Sequence, residues 1–348
     1  MPPRRICYWA SVALACALVG LFFSCNGRGR ARPEVPVVEL AVLDAFPHSP
    51  ESGQSDLIWQ GADIETGPDG RVYVVDAKAL QIHVFNAAGV HLGSFGRGGQ
   101  GPGEFTFPHA VAVSSSRIFV KDRGNLIKTF DLDGRFLGQI RLPLPISGYA
   151  VKDDRRIYAC RLFPVDPELR EKALGDPAIL ALDAAGAVAD SFGRPVPLVK
   201  DMNILNLARI ALDESGGIYA AYEYVPLVRK YSASGRLIKE NELPYDFIAE
   251  YRRENERTYG TSSYFMICPD IKSAGGRIFV MCLDKAIVRF LEMGPDLDLR
   301  AVYRLDLATV GENVLSRSFA VGTKDGQIRF YLLEGGDLRD LVYVAGPR

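Results

Sequence analysis

The sequence predicts an all-β protein, a six-bladed β-propeller built from four-stranded antiparallel blades. Three observations carry that prediction. Short runs of alternating apolar and polar residues recur along the chain and are parted by Gly, Asp and Asn turns, the pattern of half-buried strands. These runs group into a larger unit that itself repeats, which marks a stacked or ring-closed array. The last unit carries three strands instead of four, while an apolar run at residues 36–46 precedes the first full unit. That N-terminal strand can complete the last blade, closing the ring and removing the edges an open sheet would expose.

The unit is clearest at residues 70–107. A strand enters over residues 57–65, and a turn at Asp69-Gly70 reverses it. Residues 72–76 return, residues 81–85 pair next, and residues 90–95 form the outer edge. Related units occupy residues 111–140, 149–192, 209–243, 270–305 and 319–344, with runs such as R-I-F-V-K-D, R-I-Y-A-C and G-I-Y-A-A. The run G-R-V-Y-V-V-D…I-H-V-F-N-A-A-G…P-H-A-V-A-V over residues 70–113 is similar to an NHL repeat. Its F-G-R-G-G-Q-G-P-G-E-F part resembles the six-bladed β-propeller lipoproteins of bacteria. That resemblance implies the same fold and a binding scaffold over residues 36–348; it carries no shared chemistry.

The N-terminus stands apart from the repeats. Arg4 and Arg5 precede an uncharged apolar run at residues 6–23, and Ser24 and Cys25 follow. A basic region, an apolar region and a small residue before a cysteine resemble a bacterial lipoprotein signal, here residues 1–24. The resemblance implies that Cys25 becomes the lipidated N-terminus, anchoring the protein through acyl chains. Phe22 and Phe23 depart from the usual motif, and Arg28, Arg30 and Arg32 follow closely, where basic residues hinder export. An uncleaved transmembrane anchor therefore stays open, as does an ordinary cleaved signal. Each places the propeller outside the cytoplasm, in the cell envelope, facing the periplasm or the outer surface. Residues 25–35 read as a Gly/Arg/Pro tether.

Composition supports one large folded unit and excludes some partners. The 348 residues are 48% hydrophobic and 24% charged, enough for a sizeable core. The net charge of −1 lacks the basic excess of a nucleic-acid binder. Past the signal and Cys25, only Cys160, Cys268 and Cys282 remain, too few for a disulfide scaffold. Cys268 and Cys282 flank a hairpin turn at residues 274–277 and come nearly opposite one another. They read either as a disulfide in an oxidising compartment or as two buried thiols.

Two insertions break the repeat. Residues 164–177, within the third unit, have a helix-like centre, and residues 245–261 lead from the fourth unit to the fifth. Both are expected to cap one face of the ring, as plain surface loops or as a lid or partner contact. The Gly-rich stretch at residues 96–103 is no phosphate loop, because a strand rather than a helix follows it. Its glycines are expected to serve turn geometry, and Asp76 and Asp122, at the ends of second strands, to hydrogen-bond turns.

Candidate ligand contacts come from the innermost strands, which line a propeller's central channel. The residues at the start of those strands are Asp63, Ala110, Tyr149, Arg209, Asp270 and Phe319, with His109 beside Ala110. Two acids, an arginine and two aromatics suit a polar or cationic ligand at the channel mouth. The same residues could equally form a salt-bridge and packing network, and a register shifted by one residue would turn them aside.

Catalytic signatures are sparse. Some NHL propellers resemble peptide-amidating lyases, whose histidines from separate blades hold zinc, and Pro108-His109 matches one such position. The only other histidines are His48, His83 and His91, and zinc needs several converging ligands. A lactonase-like calcium site at Asp63 and Asp270 is the other metal option. No G-x-S-x-G or H-E-x-x-H motif is present. No cofactor is expected, and metal binding is left undetermined. The sequence thus favours a binding or scaffold module for a protein, peptide or glycan partner in the envelope, touching the bilayer through its anchor. The alternative is a calcium- or zinc-dependent hydrolase or lyase at the channel mouth, using Asp63, Arg209, Asp270 and His109.

Overall fold

β-Branched and aromatic residues alternating with small or polar ones favour strands, and the Gly- and Asp-rich turns between them favour hairpins. The computed structural model describes residues 35–47, 57–173, 175–196, 202–243, 246–257, 264–309, 316–324, 326–334 and 340–348. The signal, Cys25 and His48 lie outside the described residues.

Strand β1 (Val37–Phe46) comes first. Blade one is β2 (Gly61–Thr66), β3 (Val72–Asp76), β4 (Gln81–Phe85) and β5 (His91–Phe95). Blade two is β6 (Ala110–Val113), β7 (Arg117–Asp122), β8 (Leu126–Asp131) and β9 (Phe136–Arg141). Blade three is β10 (Ile146–Lys152), β11 (Arg156–Arg161), β12 (Ile179–Asp183) and β13 (Val188–Phe192). Blade four is β14 (Ala208–Leu212), β15 (Ile218–Tyr222), β16 (Leu227–Tyr231) and β17 (Leu237–Glu242). Blade five is β18 (Asp270–Ala274), β19 (Arg277–Asp284), β20 (Ile287–Met293) and β21 (Leu299–Asp306). Blade six supplies β22 (Ser316–Lys324), β23 (Gln327–Glu334) and β24 (Leu341–Pro347). Each blade is an antiparallel meander, as the repeat predicts.

Strand β1 is shared between two blades. From Leu40 to Phe46 it pairs antiparallel with β24, completing blade six as the sequence predicts. Its first residues pair in parallel with β21, Val37 opposite Val302 through Glu39 opposite Arg304. Blades five and six thus join into one eight-stranded sheet. Phe46 anchors the far end, fully buried, its ring 4.8 Å from that of Phe85 in blade one.

The apolar core lies in layers between neighbouring blades. Val75, Ile82, Phe105, Ile118 and Phe130 fill the layer between blades one and two, and Phe279, Phe290, Phe319 and Phe330 that between five and six. The Gly-rich stretch seals the first of these. Gly96 sits at φ 83°, and a Cβ there would run into the buried Phe105 ring. Replacing Gly96 with Ala should therefore destabilise the fold by about 1–3 kcal/mol through backbone strain and overpacking, read as a lower urea midpoint. An unchanged midpoint would count against the turn role.

Antiparallel alternation gives the ring two faces: a start face, where inner strands begin, and a turn face, where each hairpins into its second strand. Asp76 and Asp122 work on the start face as the sequence predicts. Asp76 accepts amide hydrogens from Trp59 and Ala79 at 2.6 and 2.8 Å, and Asp122 accepts that of Phe107 at 2.6 Å. Both insertions reach the same face. One contains α1 (Pro167–Lys172) between β11 and β12. A short helix, α2 (Met202–Leu205), precedes blade four. The second insertion contains α3 (Asp246–Arg257) between β17 and β18. Asn255 docks α3, its side-chain amide donating to the carbonyls of Tyr224 and Phe265 at 3.0 and 2.9 Å.

Candidate functional site: a lopsided central channel

Alternation along the inner strands places residues two apart on the same side, so charged pairs on blades one and five stack into two layers. The upper layer joins Asp63 of β2, Ser318 of β22 and Asp270 of β18. The Ser318 hydroxyl lies 2.6 Å from Asp63 Oδ1 and 3.1 Å from Asp270 Oδ2. Asp63 also accepts the amide hydrogens of Ile64 and Val111, and Asp270 those of Ile271 and Phe319. In the layer below, Lys272 of blade five spans past blade six to blade one. Its ammonium lies 3.0 Å from Glu65 and 3.5 Å from Asp270, and donates to the carbonyl of Ile64. In blade four, Arg209 pairs with Glu223 at 3.0 Å.

The opposite wall is built from small residues, with Ala110, Ala112, Gly148, Ala150 and Ala211 lining the channel on blades two to four. Gly148 is needed for the close approach of blades three and four, since a Cβ there would meet the carbonyl oxygen of Ala208 at 2.6 Å. A cavity of about 200 Å³ separates the charged and small-residue walls. It shares Thr66, Val113, Val151, Leu212 and Ser273 with a vestibule of about 670 Å³ on the turn face. Ligand access is therefore built on the turn face, opposite the helical insertions.

Burial and crowding act on the charges. Burial pushes the Glu65 and Asp270 carboxyls above the usual range; Lys272 opposes the rise in both, and the charge of Asp63 adds to it. Burial alone would lower the Lys272 ammonium, but Asp270, Glu65 and Asp63 together hold it above the usual lysine value. Burial likewise raises Glu223, with Arg209 opposing. These are the effects of acids confined in a poorly solvated space and only partly matched by cations.

The structure brings Asp63, Ala110, Arg209 and Asp270 to the channel, as the inner-strand alignment expects. Phe319 requires a correction. It is fully buried between blades five and six, its ring 5.0 Å from that of Phe290, and Ser318 takes the channel position. The β22–β23 register shifts between Ser316 and Ser318 just as β2–β3 shifts between Gly61 and Asp63, so Ser318, directly before the apolar run, is the counterpart of Asp63. Tyr149 borders the cavity, but its hydroxyl donates to the carbonyl of Phe119 at 2.8 Å and its ring packs between blades two and three. His109 is half-buried on the start face. Its Nδ1 bonds the Phe107 carbonyl, so Nδ1 carries the hydrogen and Nε2 accepts from Lys121 at 3.1 Å. Burial, and then Lys121, hold its pKa below the ordinary histidine value.

Sequence reasoning missed Glu65, Lys272, Ser318 and Glu223. Glu65 and Lys272 carried a usable signal, each lying two residues beyond a predicted acid on the same strand. Cys268 and Cys282 stand as two buried thiols with sulfurs 3.6 Å apart. Among the described residues, no three His, Cys, Asp or Glu side chains gather as a metal-ligand set.

Residues 58–173 match the model of the DUF5128 family, a 6-bladed beta-propeller. No curated protein matches the sequence. Among solved structures, a protein of Bacteroides fragilis NCTC 9343 named for its expected export is 12% identical, with 90% of this chain and 99% of that chain covered and a TM-score of 0.57. A member of the DUF4221 family from Bacteroides vulgatus is 11% identical, with 89% and 99% covered and a TM-score of 0.57. The PQQ-bound aldose sugar dehydrogenase of Streptomyces coelicolor is 13% identical, with 89% and 98% covered and a TM-score of 0.52. Identities this low carry architecture and no chemistry. Strand order, register and these likenesses agree that the chain is a six-bladed β-propeller.

Proposed function

We propose that this protein is an exported, lipid-anchored propeller of the NHL type that serves the bacterial envelope as a binding module. It takes a protein, peptide or glycan partner and receives part of that partner in its central channel. One observation carries the reading: charged side chains of blades one, four and five converge on a cavity that opens to a vestibule on the turn face. A propeller sealed by packing alone would fill that axis with apolar side chains.

The test is in-cell cross-linking and capture with the full-length chain, set against Glu65→Gln. A specific partner recovered with the wild type and several-fold depleted with the variant is the expected result. No specific partner, with clean peptide and glycan screens, would overturn the proposal, as would equal recovery by both proteins.

Two expectations test the address. Cys25→Ser should move the protein from the detergent-extracted membrane fraction to the soluble fraction, because a protein without its acyl chains loses its anchor. Continued membrane retention would point instead to an uncleaved span. In an oxidising compartment Cys268 and Cys282 should be joined, seen as protection of both from alkylation of the denatured, unreduced protein. Full alkylation of both would leave them as buried thiols.

A further inference from the structure

We propose that the channel is a receptor for a primary alkylammonium group on a slender chain, entering from the turn face. This rests on the binding reading above and names the chemistry of its ligand. The cations lining the cavity are already engaged, Arg209 by Glu223 and Lys272 by Glu65 and Asp270. An anionic ligand would meet no cation without a carboxylate beside it. The carboxylates, by contrast, are in excess: Asp63, Glu65 and Asp270 share Lys272, and Arg209, whose charge Asp63 and Asp270 also feel, is itself paired with a fourth acid, Glu223.

The vestibule continues the same sign. Asp153, Asp213 and Glu214 line it with Lys152, giving a net acidic funnel that concentrates cations at its mouth. A bare metal ion is a poorer occupant than an organic cation. The oxygens of Asp63 and Asp270 already accept amide hydrogens, and no donor cluster forms among the described residues. An ammonium asks less, since it donates to whichever acceptor edges remain. The small-residue wall supplies the second half of the match. Ala112 and Ala211 leave an apolar, shallow surface for methylenes, while the charged wall meets the ammonium.

Such a group could belong to a free polyamine or to a lysyl side chain of a peptide, and the chemistry in the channel is the same. The experiment is calorimetry on the full chain in detergent. Cadaverine represents the free amine and a blocked lysine peptide the side chain, with pentanol as the neutral isostere and calcium as the metal probe. At least one amine should bind at a single site, and whichever of the two binds more tightly identifies the source. Glu65→Gln should weaken it roughly tenfold, and Ala211→Leu, which fills the channel without touching a charge, should abolish it. Binding should tighten from about pH 5 to about pH 8 and release protons, because a bound cation favours the ionised carboxylates.

Equal binding of pentanol, calcium binding that both variants abolish, or amine binding that neither variant changes would overturn the inference. So would the failure of both amines. If the amines fail while envelope capture still depends on Glu65, the binding reading stands and the ammonium inference falls. If capture fails as well, both fall.

Discussion

Deleting residues 36–46 should abolish the closed ring and yield an aggregating protein, because β1 protects two blades at once. Without it, β21 and β24 both become exposed edges, and unpaired edges recruit other strands. The point variant Phe46→Ala isolates one end of this clasp. Phe46 is fully buried and packs on Phe85 and Tyr331 at 4.8 and 6.3 Å. Truncating a buried phenylalanine costs about 3–5 kcal/mol in lost transfer energy and cavity. The other end should matter far less. Glu39 and Arg304 form an ion pair at 3.0 Å, but their side chains are 46% and 31% exposed. Such a pair contributes roughly 0–1 kcal/mol, so Glu39→Ala should barely move the midpoint. Denaturant titrations of the two variants test the ranking. A deletion protein that unfolds cooperatively at the wild-type midpoint would show that closure does not depend on β1.

The clasp also shows what a sequence of this kind discloses. The strands at residues 72–76 and 81–85 were legible to the residue, because Gly and Asp turns bracket period-two runs on both sides. The completion of blade six by an N-terminal strand followed from counting. The parallel pairing of Val37–Glu39 with blade five did not, since three residues of parallel ladder impose no pattern of their own. In the channel, Asp63, Arg209 and Asp270 could be found because a charge at the head of an apolar inner strand is conspicuous. Ser318 is less conspicuous: it carries no charge, and the apolar Phe319 after it passes for the head of the strand, although Ser318 holds the place in blade six that Asp63 holds in blade one. Glu223 follows a second strand and meets Arg209 across the β14–β15 hairpin, where Ala208 lies opposite Tyr222, so only its polarity just past the strand end marked it.

The charged wall makes the other large prediction. Replacing Lys272 with Met keeps most of the methylene stem and removes the cation that spans from blade five to blade one. Asp270 and Glu65, with side chains only 7% and 23% exposed, are then left without it beside Asp63. Breaking a buried pair costs about 3–5 kcal/mol; the partial exposure of Glu65 reduces the expected loss to about 2–4 kcal/mol. The loss should depend on pH with a definite sign. Both carboxyls already titrate above their ordinary range in the folded protein. An acid with a raised folded pKa favours folding below its unfolded pKa, and that contribution is lost as pH rises through the folded value. Because Lys272 opposes the rise in both groups, its removal lifts them further and widens that window. Lys272→Met should therefore be nearly neutral at about pH 4 and most destabilised at about pH 7 and above, read from urea midpoints at each pH. Adding Glu65→Gln and Asp270→Asn removes the stranded charges and should recover most of the loss at neutral pH. A penalty that is flat with pH and not recovered would assign Lys272 a packing role. The acid excess would then be too well solvated to exert the pull on a cationic ligand that the channel's charge pattern implies.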